Sequence, residues 1–493
     1  VNTSTTTGTA TIASPCQGGL QRADDVVRGL GLPETGIEVK DPGTEKTIAH
    51  VPDADQSRIT ETLRSAHRAG LDWAQTTPRE RSNILHRWWE LLTDNAEQLA
   101  LLITREMGKT LPEARGEVKY GNDFVRWYAE QAVRSGGNYQ DAPDGGSRII
   151  TRRSPVGLAV LITPWNFPLA MATRKIAPAL AAGCPAVIKP ATATPLTAYF
   201  AVQLAREAGV PEDLVQVVTT SSSRTFSETS LRDQHTRKVS FTGSTEVGRT
   251  LLGLASERVL RTSMELGGNA PLIVFDDADV ERAAEGAAAA KLRNGGQSCI
   301  AANRFYVQNG IAEEFVAAFR EKMEAVSMGH GLADGVGLGP LINGDAVTEM
   351  GRLVDGAVEK GADLLCGGKA PEGPGHYFEP TVLDRVPPTA EVATTEIFGP
   401  IAAIQRFDTE DDAIERANDT EFGLSGYVFT ENLDRAFRVS DRLETGLVGI
   451  NQGVPSNAAA PFGGVKQSGL GREGGAAGLE EYQNIRFYNI ASR

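Results

Sequence analysis

The chain has 493 residues, enough for about two to four domains, and its 41% hydrophobic and 23% charged residues fit a folded globular protein, not a disordered one. A formal net charge of −14 gives an overall field that repels nucleic acid and anionic membranes. Cys16, Cys184, Cys299 and Cys366 form no close pair and the six histidines no HExxH, which argues against a disulfide framework or a metal site and for a reduced, cytoplasmic compartment.

Residues 1–13 are Thr-rich and carry neither the basic start nor the apolar segment of a secretory signal, and no apolar stretch reaches bilayer-spanning length. Residues 1–20 are expected to form a disordered tail. Beyond Asp55, the residues Ile59, Leu63 and Ala66 recur at helical spacing, as do Ile84, Trp88, Leu91 and Leu92. A further helical run over 96–106 stops at Gly108, and Pro112 opens another that reaches Val133. From Val156 the period changes. Short apolar runs over 158–163, 186–189, 214–219 and 238–242 read as buried strands. Pro168 starts a helix that Gly183 stops, Thr194-Pro195 caps and opens one that Gly209 closes, and Ser244 caps a third. Such alternation implies right-handed crossovers and a doubly wound parallel sheet of the nucleotide-binding kind. Helices over 279–293, 312–326, 345–360 and 411–418 then alternate with strands at 304–307, 378–381 and 404–407, a second α/β unit. A glycine-rich loop from Gly449, a helix near Glu480 and a strand-like piece over 485–490 follow, and no internal repeat is visible.

Four segments carry candidate chemistry. In Thr163-Pro-Trp-Asn-Phe-Pro168, at the carboxyl edge of a strand, Asn166 can donate an amide N–H to a developing oxyanion or cap the helix at Pro168. In Phe241-Thr-Gly-Ser-Thr-Glu-Val-Gly248, Gly243 and Gly248 flank a helix start that suits a pyrophosphate, although glycines there also serve packing alone. Met264-Glu-Leu-Gly-Gly-Asn269 sets Glu265 between apolar neighbours, where burial raises a carboxyl pKa into the range of a usable base; a solvated surface charge is the plainer alternative. Asn294-Gly-Gly-Gln-Ser-Cys299 places a cysteine in a loop whose glycines and polar residues argue for exposure, against the usual fate of a free cysteine as a small buried hydrophobe. No histidine stands in a neighbouring motif to serve a Cys–His hydrolase.

Together these segments resemble the aldehyde dehydrogenase superfamily, from about Gly36 to the C-terminus. Lys189-Pro190, Glu396-Ile-Phe-Gly-Pro400, Pro461-Phe-Gly-Gly464 and the interval between Glu265 and Cys299 match it as well. The resemblance implies a three-part α/β fold: a Rossmann-like nucleotide-binding domain (21–133 and 155–265), an α/β catalytic domain (266–470) and a small β oligomerisation element (134–154 and 471–493). It implies that Cys299 attacks an aldehyde as thiolate, that Asn166 and the Cys299 N–H hold the oxyanion, that hydride passes to nicotinamide, and that Glu265 activates the water that hydrolyses the thioester. Cofactor contacts carried over are Thr163, Pro164, Trp165, Lys189 and Thr192 beside the first strands, Gly243, Ser244 and Gly248 at the pyrophosphate, and Glu396 with Phe398 at the nicotinamide. The glutamate at 265 favours water over coenzyme A as acyl acceptor. Thr192 stands where NAD-preferring relatives often have a glutamate, so NADP is expected to be preferred, with NAD possible.

Within the superfamily, Met171-Ala-Thr-Arg-Lys175, Lys291-Leu-Arg-Asn294, residues 453–457 and 461–472 resemble succinate-semialdehyde dehydrogenases. That implies an anionic aldehyde held by Arg174, Arg293 and Ser456, with Phe167 and Phe462 lining the pocket; an arginine fork suits a carboxylate. The plainer role for either arginine is to pair a structural acid. Glutarate semialdehyde, a sulfonated aldehyde, or a non-catalytic binding role on the same scaffold are the alternatives. Ala301 replaces the second cysteine of many relatives, and Thr219-Thr-Ser-Ser-Ser-Arg224 replaces the glycines usual beside the adenine. Exposed edge strands lead us to expect a homodimer or homotetramer.

Overall fold

The computed structural model describes residues 12–491. One sheet runs in the order Gly469–Leu470, Arg261–Glu265, Thr236–Thr242, Leu158–Ile162, Ala186–Lys189, Val215–Val217, parallel except for its first strand. Every residue of Leu158–Ile162 is buried, and its two faces serve two cores. Ala159 and Leu161 pack under the helices Pro78–Asp94, Leu111–Ala132 and Pro168–Ala182, while Leu158, Val160 and Ile162 pack with Ile59 and Leu63 of Gln56–Trp73 and Leu251 of Thr245–Ser256. A strand covered on both faces reads as a continuous apolar run, which is why Leu158–Ile162 is legible in the sequence.

The second sheet has the order Asp363–Cys366, Thr381–Asp384, Ile401–Phe407, Ala302–Gln308, Ala270–Val274, Ser425–Phe429, Leu447–Ile450, with only its first strand antiparallel. A third sheet joins Gln483–Ala491 to Ser147–Pro155 in unbroken antiparallel register, with Tyr139–Asp141 on the far side. Gln483–Ala491 is its outer edge, and Ile485 and Phe487 on it are 66% and 67% exposed.

Several expectations change. Of the tail expected over 1–20, residues 1–11 lie outside the described residues; Gln17–Gly29 is a helix, because Leu20 and Ala23 cover Leu101 and Leu332. The helix Leu196–Glu207 is not capped by Thr194, whose hydroxyl donates to the Trp165 carbonyl. Its N-terminal amides are taken instead by the buried Glu106 carboxylate, from Leu196 at 2.7 Å and Thr197 at 3.0 Å. The strand expected at 378–381 is Thr381–Asp384, since Pro380 has no N–H for a ladder. Gly469–Leu470, assigned above to the catalytic unit, pairs with the end of Arg261–Glu265 in the nucleotide-type sheet. Of residues 471–482, assigned to the oligomerisation element, Glu473 and Tyr482 are buried, and Gly475–Glu480 packs on the helices Leu111–Ala132 and Pro168–Ala182. The strands Arg261–Glu265, Ala270–Val274 and Ser425–Phe429 and the helices Ser223–Arg232 and Leu433–Arg442 were not expected. Among the described residues no helix is long and apolar enough to cross a membrane.

Candidate active site

Helix Val280–Leu292 ends in a tight turn in which Asn294, Gly295 and Gly296 are all left-handed, with φ of 58°, 63° and 74°. Gly296 has no alternative: a Cβ there would lie 2.1 Å from the Gly399 carbonyl oxygen. Residues 294–298 are therefore buried, contrary to the exposure expected from their polarity, and Cys299 itself is half-buried. The glycines serve close approach, not openness. Burial pushes the Cys299 thiol up to about 12, with Arg174 and Arg293 pulling the other way.

Cys299 stands where two cavities meet. The first, of about 220 Å³, is lined by Pro164, Trp165, Asn166, Gly243, Ser244, Glu396 and Phe398. Phe398 is left-handed (φ 53°) and meets Trp165 edge-on at 5.4 Å. Asn166 does not cap its helix; its amide donates to the Gln297 carbonyl at 2.9 Å, two residues before Cys299. Its own carbonyl accepts from Asn294 Nδ2 at 2.9 Å and from the buried Lys109 Nζ at 2.8 Å, and Lys109 is paired to Glu117. Glu396 accepts the Gly268 N–H at 3.0 Å, and burial pushes its carboxyl up to about 7.

This cavity and its surroundings fit a dinucleotide. Ser244 caps Thr245–Ser256 through the Val247 N–H, leaving the first amides of that helix beside Gly243. Lys189, 6% exposed at its strand end, finds among the described residues only the Pro190 carbonyl, at 3.4 Å, and burial lowers its pKa. A buried ammonium so poorly satisfied suits a polar or anionic ligand. Thr192 is half-buried just beyond it. Thr163 and Gly248 do not line the cavity: Thr163 closes the strand through its N–H on the Lys189 carbonyl, and Gly248 lets the Leu266 side chain approach. In the unusual 219–224 stretch, Ser221 binds the Asp53 carboxylate by N–H and hydroxyl, at 2.8 and 2.7 Å, and Ser222 caps Ser223–Arg232.

The second cavity is narrow and brings Phe167, Arg174, Arg293, Ser456 and Phe462 together around Cys299. Tyr120 joins them, unforeseen because its helix reads as ordinary core. The two arginines differ. Arg174, 1% exposed, is ion-paired with Glu473, so the plainer role set out above applies to it in part; its guanidinium also covers the Phe462 ring at 4.7 Å. Arg293 donates to Ser456 Oγ at 3.3 Å and lies over Phe167 at 5.1 Å, with no carboxylate paired to it among the described residues.

Glu265 ends its strand, 1% exposed, and neither carboxylate oxygen has a hydrogen-bond partner among the described residues. Gly463 leaves room over it, since a Cβ there would be 2.9 Å from Oε1. Burial raises the Glu265 pKa well above the ordinary value, and the Glu473 carboxylate raises it further. Glu473 itself is held low by Arg174 and Lys175, which together outweigh the cost of its burial. Neither Glu473 nor Lys175 was singled out; one polar residue in a glycine-rich loop and one in an apolar helix give no local sign that they meet.

The sequence matches the model of the aldehyde dehydrogenase family over residues 31–488. It is 51% identical over 444 residues to a succinate-semialdehyde dehydrogenase of Paenarthrobacter nicotinovorans, covering 90% of this chain and 99% of that one. A glutarate-semialdehyde dehydrogenase of Pseudomonas putida is 46% identical, with 92% of this chain and 94% of that one covered. The crystal structure of an Escherichia coli NADP-dependent enzyme superposes with a TM-score of 0.91 at 45% identity, over 93% of this chain and 95% of that one.

Proposed function

The chain belongs to the aldehyde dehydrogenase family, and from that premise we propose that it oxidises succinate semialdehyde to succinate. The observation that carries this reading is Arg293, a cation with no acidic partner among the described residues, in the cavity at Cys299 of a protein with net charge −14. A short aldehyde with Cys299 at its carbonyl carbon would place a terminal carboxylate at Arg293 and Ser456. The P. nicotinovorans relative supports that substrate. The P. putida relative supports a one-carbon-longer homologue, and the narrowness of the cavity favours the shorter.

In this reading the Cys299 thiol releases its proton to solvent and Sγ adds as thiolate to the carbonyl carbon, while Asn166 Nδ2 and the Cys299 N–H hold the oxyanion. The dinucleotide supplies the hydride acceptor. Cys299 then carries a thioester; Glu265 takes a proton from water as that water attacks, and the acid leaves with the thiolate restored. The exposed edge Gln483–Ala491 supports self-association as a homodimer or homotetramer.

Arg293→Met tests the substrate. A charge-assisted hydrogen bond contributes roughly 1.5–3 kcal/mol, so KM for succinate semialdehyde should rise about tenfold or more while butanal is hardly affected. Equal losses on both aldehydes would remove Arg293 from substrate recognition. Arg174→Met should harm both, because it strips a buried partner from Glu473.

NADP is the proposed preference over NAD. Thr192 carries no carboxylate, and the buried Lys189 offers a ribose 2′-phosphate a cation. The E. coli structure supports this. About 1.4 kcal/mol would give a tenfold ratio in kcat/KM. Thr192→Glu should move that ratio toward NAD; a wild type that prefers NAD, or a mutant ratio that does not move, contradicts the assignment.

A further inference from the structure

Lys291 lies in the last turn of the helix Val280–Leu292, fully buried, where the proposed mechanism gives it no part. Its Nζ donates two hydrogen bonds: to Asn303 Oδ1 at 2.9 Å and to the Gly399 carbonyl at 3.2 Å. Asn303 stands at the start of the strand that follows the Cys299 loop. Gly399 directly follows Phe398, the left-handed residue whose ring lines the first cavity. Non-glycine residues adopt that conformation at a cost and keep it only where their surroundings impose it. The Gly399 carbonyl is the natural anchor, since its other side presses on Gly296 of the nucleophile loop.

We infer that Lys291 is a positioning residue for the nicotinamide end of the site: by gripping the Gly399 carbonyl and Asn303 together, it holds Phe398 and Glu396 in register with the Cys299 loop. A purely structural lysine is a poor explanation of this position. Burial lowers the Lys291 pKa to about 7, so the amine is costly to keep there; no carboxylate is paired with it among the described residues, and a hydrophobe of similar length would fill the space at lower cost. What a hydrophobe could not do is hold a carbonyl and an amide oxygen at fixed positions across two loops. The buried Glu396 carboxylate, the other charge felt at this site, lies on the same loop that Lys291 anchors.

The inference rests on reading the first cavity as the dinucleotide site, and the test separates the two. Lys291→Met, close in length and unable to donate, is compared with wild type in three measurements: calorimetric affinity for NADP and NAD, aldehyde oxidation, and hydrolysis of 4-nitrophenyl acetate without dinucleotide. The ester reaction needs Cys299 and a deacylating water but no hydride transfer. We expect dinucleotide affinity or the hydride step to fall tenfold or more while ester hydrolysis stays within about twofold. Unchanged dinucleotide affinity and hydride transfer would overturn the inference, as would ester hydrolysis that falls by the same factor, which would show general loosening of the loop. Should Lys291→Met not fold, Lys291→Gln, which keeps a donor but cannot span both acceptors, is expected to show the same split, and its absence there is equally decisive. A wild type that binds neither dinucleotide would reject the cavity assignment instead.

Discussion

Replacing Cys299 by alanine is expected to abolish aldehyde oxidation while NADP still binds, a loss measurable as absence of both steady-state turnover and any burst of reduced cofactor. The substitution removes the thiol at the junction of the two cavities and little else, because Asn166, Gln297 and Lys109 keep their bonds without it. Residual turnover above about a thousandth of wild type would mean that another group attacks the carbonyl. The resting thiol is pushed up to about 12 by burial, so the free enzyme carries little thiolate at neutral pH. Inactivation by iodoacetamide should therefore accelerate about tenfold for each pH unit from 7 to 9, without a plateau. A plateau near neutrality would show that Arg174 and Arg293 overcome burial in solution.

The second large effect is at Glu265. Glu265→Gln preserves shape and removes the base, so acylation should proceed once and stop: a burst of reduced cofactor matching the active sites, then turnover lower by about a hundredfold or more. Both carboxylate oxygens lack partners among the described residues, so no structural hydrogen bond there is lost. The pH dependence follows from the raised pKa. A carboxyl held protonated by burial and by Glu473 is idle at low pH, so deacylation should climb as pH passes its elevated value. In Glu265→Gln that limb should vanish. Normal steady-state turnover in the mutant would assign the water to another base.

The α/β alternation, the strand end that bears Asn166 and the loop that bears Cys299 could be read directly from the chain, whereas the strand that Glu265 ends could not. Each of the legible features is written in local terms: an apolar run of strand length, a proline or serine at a helix start, a glycine pair beside a polar residue. The family resemblance rests on the same short segments, which is why it pointed to Cys299, Glu265, Asn166 and five of the residues that line the second cavity together, but not to Tyr120.

Tertiary structure decided what those residues experience. Arg174 reads as a substrate ligand until Glu473, almost 300 positions later, is folded against it and takes up part of its charge; Arg293, alike in sequence terms, has no carboxylate paired to it among the described residues. Thr194 reads as a helix cap until the Glu106 carboxylate arrives from another helix. The glycines before Cys299 suggest an open loop, yet they are buried because the Gly399 carbonyl presses on Gly296. Helix and strand period depend on neighbours a few residues away, and so the sequence alone determined them. Charge pairing, desolvation and pKa depend on distances and dielectric set by segments far apart in the chain, and only the folded packing decided those.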